Sequence, residues 1–380
     1  MTGQDPRIEE LTAAVYEIPT DQPEADGTLA WSKTTMVIAE AVGGGHRGLG
    51  YTYVPGACQP LISGVLAGEV TGRPALDVAG SWQAMVRAVR NLGRPGLVSC
   101  PISAADTALW DLKGKLLGLP VCRLLGAVRD EVPVYGSGGF ITHDSATARA
   151  QLELWAGQWA IPRVKIKIGE SRGHRRARDL ERIAFAREVI GPDVELYVDA
   201  NGGYGRKQAV RMAGADVTWL EEPVSSDDLD GLREVRNQVA ADVAAGEYTG
   251  TTCATSSGGI TQWLRAAAVA AAHGLQVSGH CAPNLHAQVA AAVPNLRHLE
   301  YFHDHVRIEG RLLDGALDPS GGVLRPDQGR PGLGLELKAV DAEPVPDRLM
   351  TREGTPDTGV GSHPRAASAL ARSAGAAATG

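Results

Sequence analysis

Two lysines, Lys165 and Lys167, interrupt the β-branched run V-K-I-K-I at residues 164–168. An ammonium group loses hydration in a buried strand, so a run of this kind needs either an exposed edge or an interior that wants charge. Residues two apart on a strand share a face, so both lysines point one way and Val164, Ile166 and Ile168 the other. The strand-like runs that follow end in acids. Asp199 ends E-L-Y-V-D-A, Glu221 and Glu222 end V-T-W-L-E-E, and Glu247 ends D-V-A-A-G-E. His280 ends L-Q-V-S-G-H, and Glu300 lies in H-L-E-Y-F. Taken alone, the lysines read slightly better as a solvated edge. With acids ending the next three strands, a polar, functional interior is the better reading.

That arrangement implies a chemistry. Asp199, Glu221 and Glu247 repel one another unless a cation joins them. Hard oxygen ligands without clustered thiols select magnesium. Salt bridging to the lysines is the plainer alternative. A divalent ion and lysines together bind a substrate carboxylate and stabilise the enediolate left when its α-proton is removed. A lysine beside other cations has a lowered pKa and serves as the base. His280, from a later strand, faces the substrate from across the site. Reprotonation there gives racemisation; protonating a departing β-hydroxyl gives dehydration.

The elements that hold these residues are legible in outline. The 380-residue chain has room for two domains or one barrel with additions. Its net charge of −7 argues against a nucleic-acid partner. Five scattered cysteines without a C-x-x-C pair fit a reduced cytoplasm. The N-terminus has no signal-peptide core, and the alanine-rich stretch near 266–272 is too short and too weakly apolar to span a membrane. Residues 36–42 and 49–54 read as strands joined by G-G-G-H-R-G. Its G-x-G-x-x-G match (Gly43, Gly45, Gly48) is followed by a strand rather than a helix, so it predicts a hairpin and not a dinucleotide site. Over 103–117, Ala105, Leu109, Leu112 and Leu116 share a helical face, with Ser103 as a candidate N-cap. From residue 132, short strands alternate with helices, which predicts a parallel α/β barrel with its site at the strand C-termini.

The motifs K-x-K, V-D-A-N, W-L-E-E-P, A-G-E and the strand ending in His280 resemble the enolase superfamily, mandelate racemase subgroup, over about residues 8–338. The resemblance implies an α+β capping domain (1–128) and a modified (β/α)7β TIM-type barrel (129–310). A segment at 311–341 then returns to the capping domain, and 342–380 is expected to be a disordered tail. It implies Mg2+ on Asp199, Glu221 and Glu247, with Lys167 as base, Lys165 as its cationic neighbour and His280 opposite. Asn201 would contact substrate, and Glu300 would hydrogen-bond the enediolate oxygen. A capping loop, T-D-Q-P-E-A-D-G-T-L-A-W-S-K, would close over the site with Trp31 and Lys33 as contacts. The implied function is dehydration of an acid sugar by a cytoplasmic homo-oligomer. Racemisation of an α-hydroxy acid and a non-catalytic family member are the alternatives.

One spacing departs from the pattern. Glu247 to His280 covers only 33 positions, too few for two βα units of about 30 residues each. One βα unit is therefore expected to be missing around 248–258. The acid that orients the histidine in the family falls on Cys253, and no acid lies between Glu247 and Glu300. Three outcomes are open: T-T-C-A-T-S-S forms a short replacement strand, the barrel closes differently, or the copy is damaged. His303 and His305 have metal-like spacing but no evident third ligand, so a polar exit from the strand is expected. Gly258–Gly259, before a helix, reads as either an anion site or a turn. No G-x-S-x-G elbow supports a hydrolase.

Overall fold

A computed structural model describes residues 5–214, 216–248 and 253–338. The first three strands, β1 (Glu10–Ala25), β2 (Ala30–Gly43) and β3 (His46–Tyr53), form an antiparallel sheet. Gly44 and Gly45, with φ of 56° and 76°, make the two-residue turn between β2 and β3. Positive φ at both positions suits the twist of a tight hairpin. Helices α1 (Val78–Ala88) and α2 (Ser99–Leu117) cover this sheet and share an apolar core built on Trp82, Met85, Ala105, Leu109 and Leu112.

Two local expectations differ from the structure. Residues 20–33 are not a loop. Most of them extend β1 and β2, with a break in register between Pro19 and Glu24 and a tight turn at Asp26–Leu29. Ser103 is not an N-cap, because α2 begins at Ser99. Its hydroxyl donates to Ser99 O and accepts from the amides of Gly258 and Gly259 at 2.8 and 3.0 Å. That uses the glycine amides and makes the pair a docking turn rather than an anion site.

The second sheet contains β4 (Val132–Ser137), β5 (Arg163–Lys167), β6 (Glu195–Asp199), β7 (Trp219–Glu221), β8 (Asp242–Ala244), β9 (Val277–Gly279) and β10 (Leu296–Phe302). All pair in parallel, in the order β8-β7-β6-β5-β4-β10-β9. Helices including α3 (Arg176–Ile190), α4 (Leu229–Gln238), α5 (Gly259–Ala272), α6 (Pro283–Ala290) and α7 (His303–Leu312) connect them. The sheet curls into an α/β barrel of TIM type. Among the described residues, no strand pairs between β8 and β9. Cys253–Gly258 form turns, and residues 249–252 lie outside the described residues.

The C-terminal segment packs back on α2. Glu336 reaches Lys115 at 2.8 Å, and Leu333 N donates to Asp111 Oδ1 at 2.5 Å. The expected tail at 342–380 lies outside the described residues. Among the described residues, no helix is long and apolar enough to cross a membrane.

Candidate active site

Strand register places the polar residues on one rung. Lys167 pairs with Asp199, Asp199 with Glu221, and Glu221 with Ala244. Alternation turns Lys165 inward with Lys167, while Val164 and Ile166 join Leu196, Val198 and Leu220 in the main apolar core. Beneath the charged rung, Tyr135, Tyr197, Trp219 and His298 pack as an aromatic floor. Lys165 Nζ lies 5.3 Å from the Tyr135 ring centroid, where the ring face favours a cation.

Both lysines are buried among carboxylates. Lys165 Nζ lies 2.7 Å from Glu221 Oε1, 2.7 Å from Glu300 Oε1 and 3.4 Å from Asp199 Oδ2. Lys167 Nζ donates to Asp199 Oδ2 at 2.6 Å. Burial alone would lower both pKa values. Instead, Glu221 and Glu300 hold Lys165 well above its ordinary value, and Asp199 raises Lys167. Burial also pushes Glu221 up, to about 7, against the pull of Lys165.

Asp199, Glu221 and Glu247 each bring a carboxylate oxygen within 4.8 Å of the others. Neighbours fix their orientation. Asn201 N donates to Asp199 Oδ1 at 2.9 Å, Asn201 Nδ2 to Glu247 Oε1 at 3.0 Å, and Trp219 Nε1 to Glu221 Oε2 at 2.9 Å. Asn201 Oδ1 stays buried without a partner among the described residues. Glu222 turns away, its Oε1 accepting from Gly246 N at 2.7 Å. Three hard, anionic oxygen donors converging on one point fit magnesium.

His280 enters from β9. Its Nε2 lies 3.0 Å from Glu247 Oε2 and 3.7 Å from Glu300 Oε2. Burial opposes an imidazolium there, but Cys281 and Glu247 raise its pKa well above the usual value. Cys253, where spacing puts the absent acid, lies 2.8 Å from Thr255 Oγ1, and against the effect of burial His280 holds its thiol below the usual value. Glu300 accepts from Ser137 Oγ at 2.6 Å and Cys281 N at 3.1 Å, besides Lys165. Despite burial, Lys165 and His280 hold it well below the usual carboxylate range. Glu300 thus bonds Lys165, Ser137 and Cys281 at once, and these contacts fix the orientation of its carboxylate.

The two hairpin contacts divide. Trp31 packs edge-on against Phe140 at 5.6 Å, and Phe140 packs with Cys281 and Phe302 beside Lys167. Lys33 instead pairs with Glu17 at 2.7 Å on an exposed strand face, away from this cluster. Sequence reasoning missed Ser137, which no motif marks. It also missed Tyr248, whose OH accepts from Asn201 Nδ2 at 3.0 Å, and Cys281. The last two directly follow Glu247 and His280, so adjacency was the available signal.

Comparison with known proteins agrees with this geometry. The mandelate racemase/muconate lactonizing enzyme N-terminal domain matches residues 12–126. The enolase C-terminal domain-like family matches 147–252 and 250–342, two stretches that meet where the spacing is short. A mandelate racemase/muconate lactonizing enzyme-like protein from Rubrobacter xylanophilus superposes with a TM-score of 0.84 at 47% identity, over 87% of this chain and 97% of that one. L-talarate/galactarate dehydratase from Salmonella typhimurium LT2, liganded with Mg and L-lyxarohydroxamate, gives 0.81 at 26% identity over 90% and 94%. A 3,6-anhydro-alpha-L-galactonate cycloisomerase from Streptomyces coelicolor is 29% identical over 87% of this chain and 97% of its own length. Lysines, carboxylates and histidine thus sit on a shared scaffold, and the chain belongs to the magnesium-dependent mandelate racemase/muconate lactonizing enzyme family of the enolase superfamily.

Proposed function

We propose that the chain removes the proton α to the carboxylate of an acid sugar and expels a β-hydroxyl as water. The observation that carries this reading is that Lys167 and His280, from separate strands, both bond to one carboxylate cluster. Magnesium held by Asp199, Glu221 and Glu247 would neutralise charge on the substrate carboxylate. Lys165 holds that carboxylate from its buried position. Lys167 takes the α-proton; Asp199 holds its pKa above the usual value against the opposing charge of Lys165, and a divalent ion on Asp199 would weaken that hold. His280 gives its proton to the departing β-hydroxyl. Water leaves, and the enol ketonises to a 2-keto-3-deoxy acid. Asn201 Oδ1, buried and without a partner among the described residues, accepts from a substrate hydroxyl.

The dehydratase among the similar proteins supports acid sugars as the substrate class. The reading includes a cytoplasmic homo-oligomer; five free cysteines support a reducing compartment. Incubating the protein with magnesium and a set of acid sugars, then assaying 2-keto product, tests it. Product that vanishes in Lys167→Ala is expected. Silence on every acid, with magnesium still bound, would leave the non-catalytic reading.

A further inference from the structure

His303 opens α7 directly after β10, and β1 passes beside it. His303 Nε2 lies 3.1 Å from Asp21 Oδ2. Asp21, Glu24 and His303 each offer one ligand-type atom, all within 4.8 Å of one another. The partners that the sequence did not reveal thus come from the far end of the chain. His305 is not among them. Its ring stacks on Tyr53 at 3.4 Å, and its Nδ1 accepts from Ala282 N at 3.3 Å.

Glu24 is the second, independent observation. It is 1% exposed, yet only one of its oxygens is satisfied. Oε2 accepts from Trp31 Nε1 at 2.8 Å, while Oε1 has no hydrogen-bond partner among the described residues. A buried acceptor without a partner is costly. The neighbouring acid Asp304 is already held by Thr34 and by Arg307 Nη2 at 2.6 Å. Burial, reinforced by Asp304, pushes the Glu24 carboxyl up to about 8, against the weaker pull of Arg307.

We propose that Asp21, Glu24 and His303 form a second cation site, selective for Zn2+, that ties the β1–β2 hairpin to the start of α7. Two carboxylates with one imidazole make the mixed nitrogen–oxygen donor set that zinc takes with an open fourth position. The barrel centre offers magnesium only oxygens from its three acids, so donor chemistry sorts the two ions. Asp21 and His303 are partly exposed, which gives an ion a route from solvent. Binding replaces the His303–Asp21 hydrogen bond and releases protons. Because Glu24 also bonds Trp31, the ion would fix the hairpin residue packed against Phe140.

The test uses the full-length chain, stripped with chelator and resupplied with excess Mg2+, then titrated calorimetrically with Zn2+. Asp199→Asn provides a background in which the barrel centre is crippled. One zinc equivalent should persist there. Glu24→Gln and His303→Asn should each weaken it about tenfold or more. Co2+ used in place of zinc should give a ligand-field absorption that His303→Asn alters. Near-UV circular dichroism checks folding, and Asp21→Asn, at a half-exposed position, gives a milder variant for the same measurement. Zinc binding lost with Asp199→Asn, or unchanged in the folded Glu24, His303 and Asp21 variants, would overturn the site without touching the proposed reaction.

Discussion

His280 and Glu247 meet at 3.0 Å, although the strands that lead to them share no backbone pairing among the described residues. The Glu247 carboxylate favours the protonated form of the ring, and the contact orients the imidazole toward the carboxylate cluster. His280→Asn removes the proton donor and leaves Lys167 in place. Substrate incubated in D2O should then still exchange its α-hydrogen, while 2-keto product falls by about 10²–10⁴-fold. Loss of exchange and product together would place His280 on the abstraction step instead.

Lys165 neutralises more buried charge than any other group in the site. Lys165→Met leaves Glu221, Glu300 and Asp199 without its ammonium. Breaking a buried ion pair from one side costs about 3–5 kcal/mol. Urea denaturation should show a loss of that order, with the slope unchanged. A midpoint equal to that of the parent would mean the carboxylates take up protons at little cost.

Asp106 on α2 accepts from Thr261 N at 2.9 Å and Thr261 Oγ1 at 2.7 Å, joining the N-terminal domain to α5. Burial pushes its carboxyl up to about 7 despite those bonds. An acid with a higher pKa folded than unfolded takes up a proton on folding. Its contribution is fully present below the unfolded value, near 4, and is lost as pH rises toward 7. The loss is on the order of 2–4 kcal/mol. Stability measured from pH 4 to 8 should fall over that window, and Asp106→Asn should flatten the fall.

Gly259 opens α5 with φ of 88°, and an added Cβ would lie 2.3 Å from Asp106 Oδ2. Gly259→Ala therefore combines backbone strain with a clash against a buried carboxylate. A loss of about 2 kcal/mol or more is expected in thermal unfolding. An unchanged midpoint would show that the turn can re-form around the methyl group.

The charged rung could be read from sequence because strand period is two and barrel sites gather at strand ends. Lys165, Lys167, Asp199 and Glu221 follow those rules, and the structure brings them together. What escaped depends on distant partners. Asp21 and Glu24 sit among prolines and other turn-forming residues, yet pairing across the hairpin makes most of that segment strand. Ser103 looks like a cap until Gly258 and Gly259 donate to it. Lys33 has the charge for a substrate contact, and its pairing with Glu17 shows only in the structure. Glu300 has the type of a group that bonds a substrate oxygen, and only the structure shows that Lys165, Ser137 and Cys281 all bond its carboxylate.

Among the described residues, the sheet that carries the site runs from β8 to β9, and no backbone pairing joins those two strands. A closed hoop derives its stiffness from a continuous ladder of amides. Across this seam the clasps among the described residues are side-chain contacts, His280 on Glu247 near the strand C-termini and Arg297 on Asp242 at 2.6 Å near their N-termini. Ionic clasps respond to salt and acidity, whereas amide ladders barely do. The exposed Arg297–Asp242 clasp is therefore the one that salt reaches, while the more buried His280–Glu247 contact, which seats Glu247 beside Asp199 and Glu221, is shielded from it.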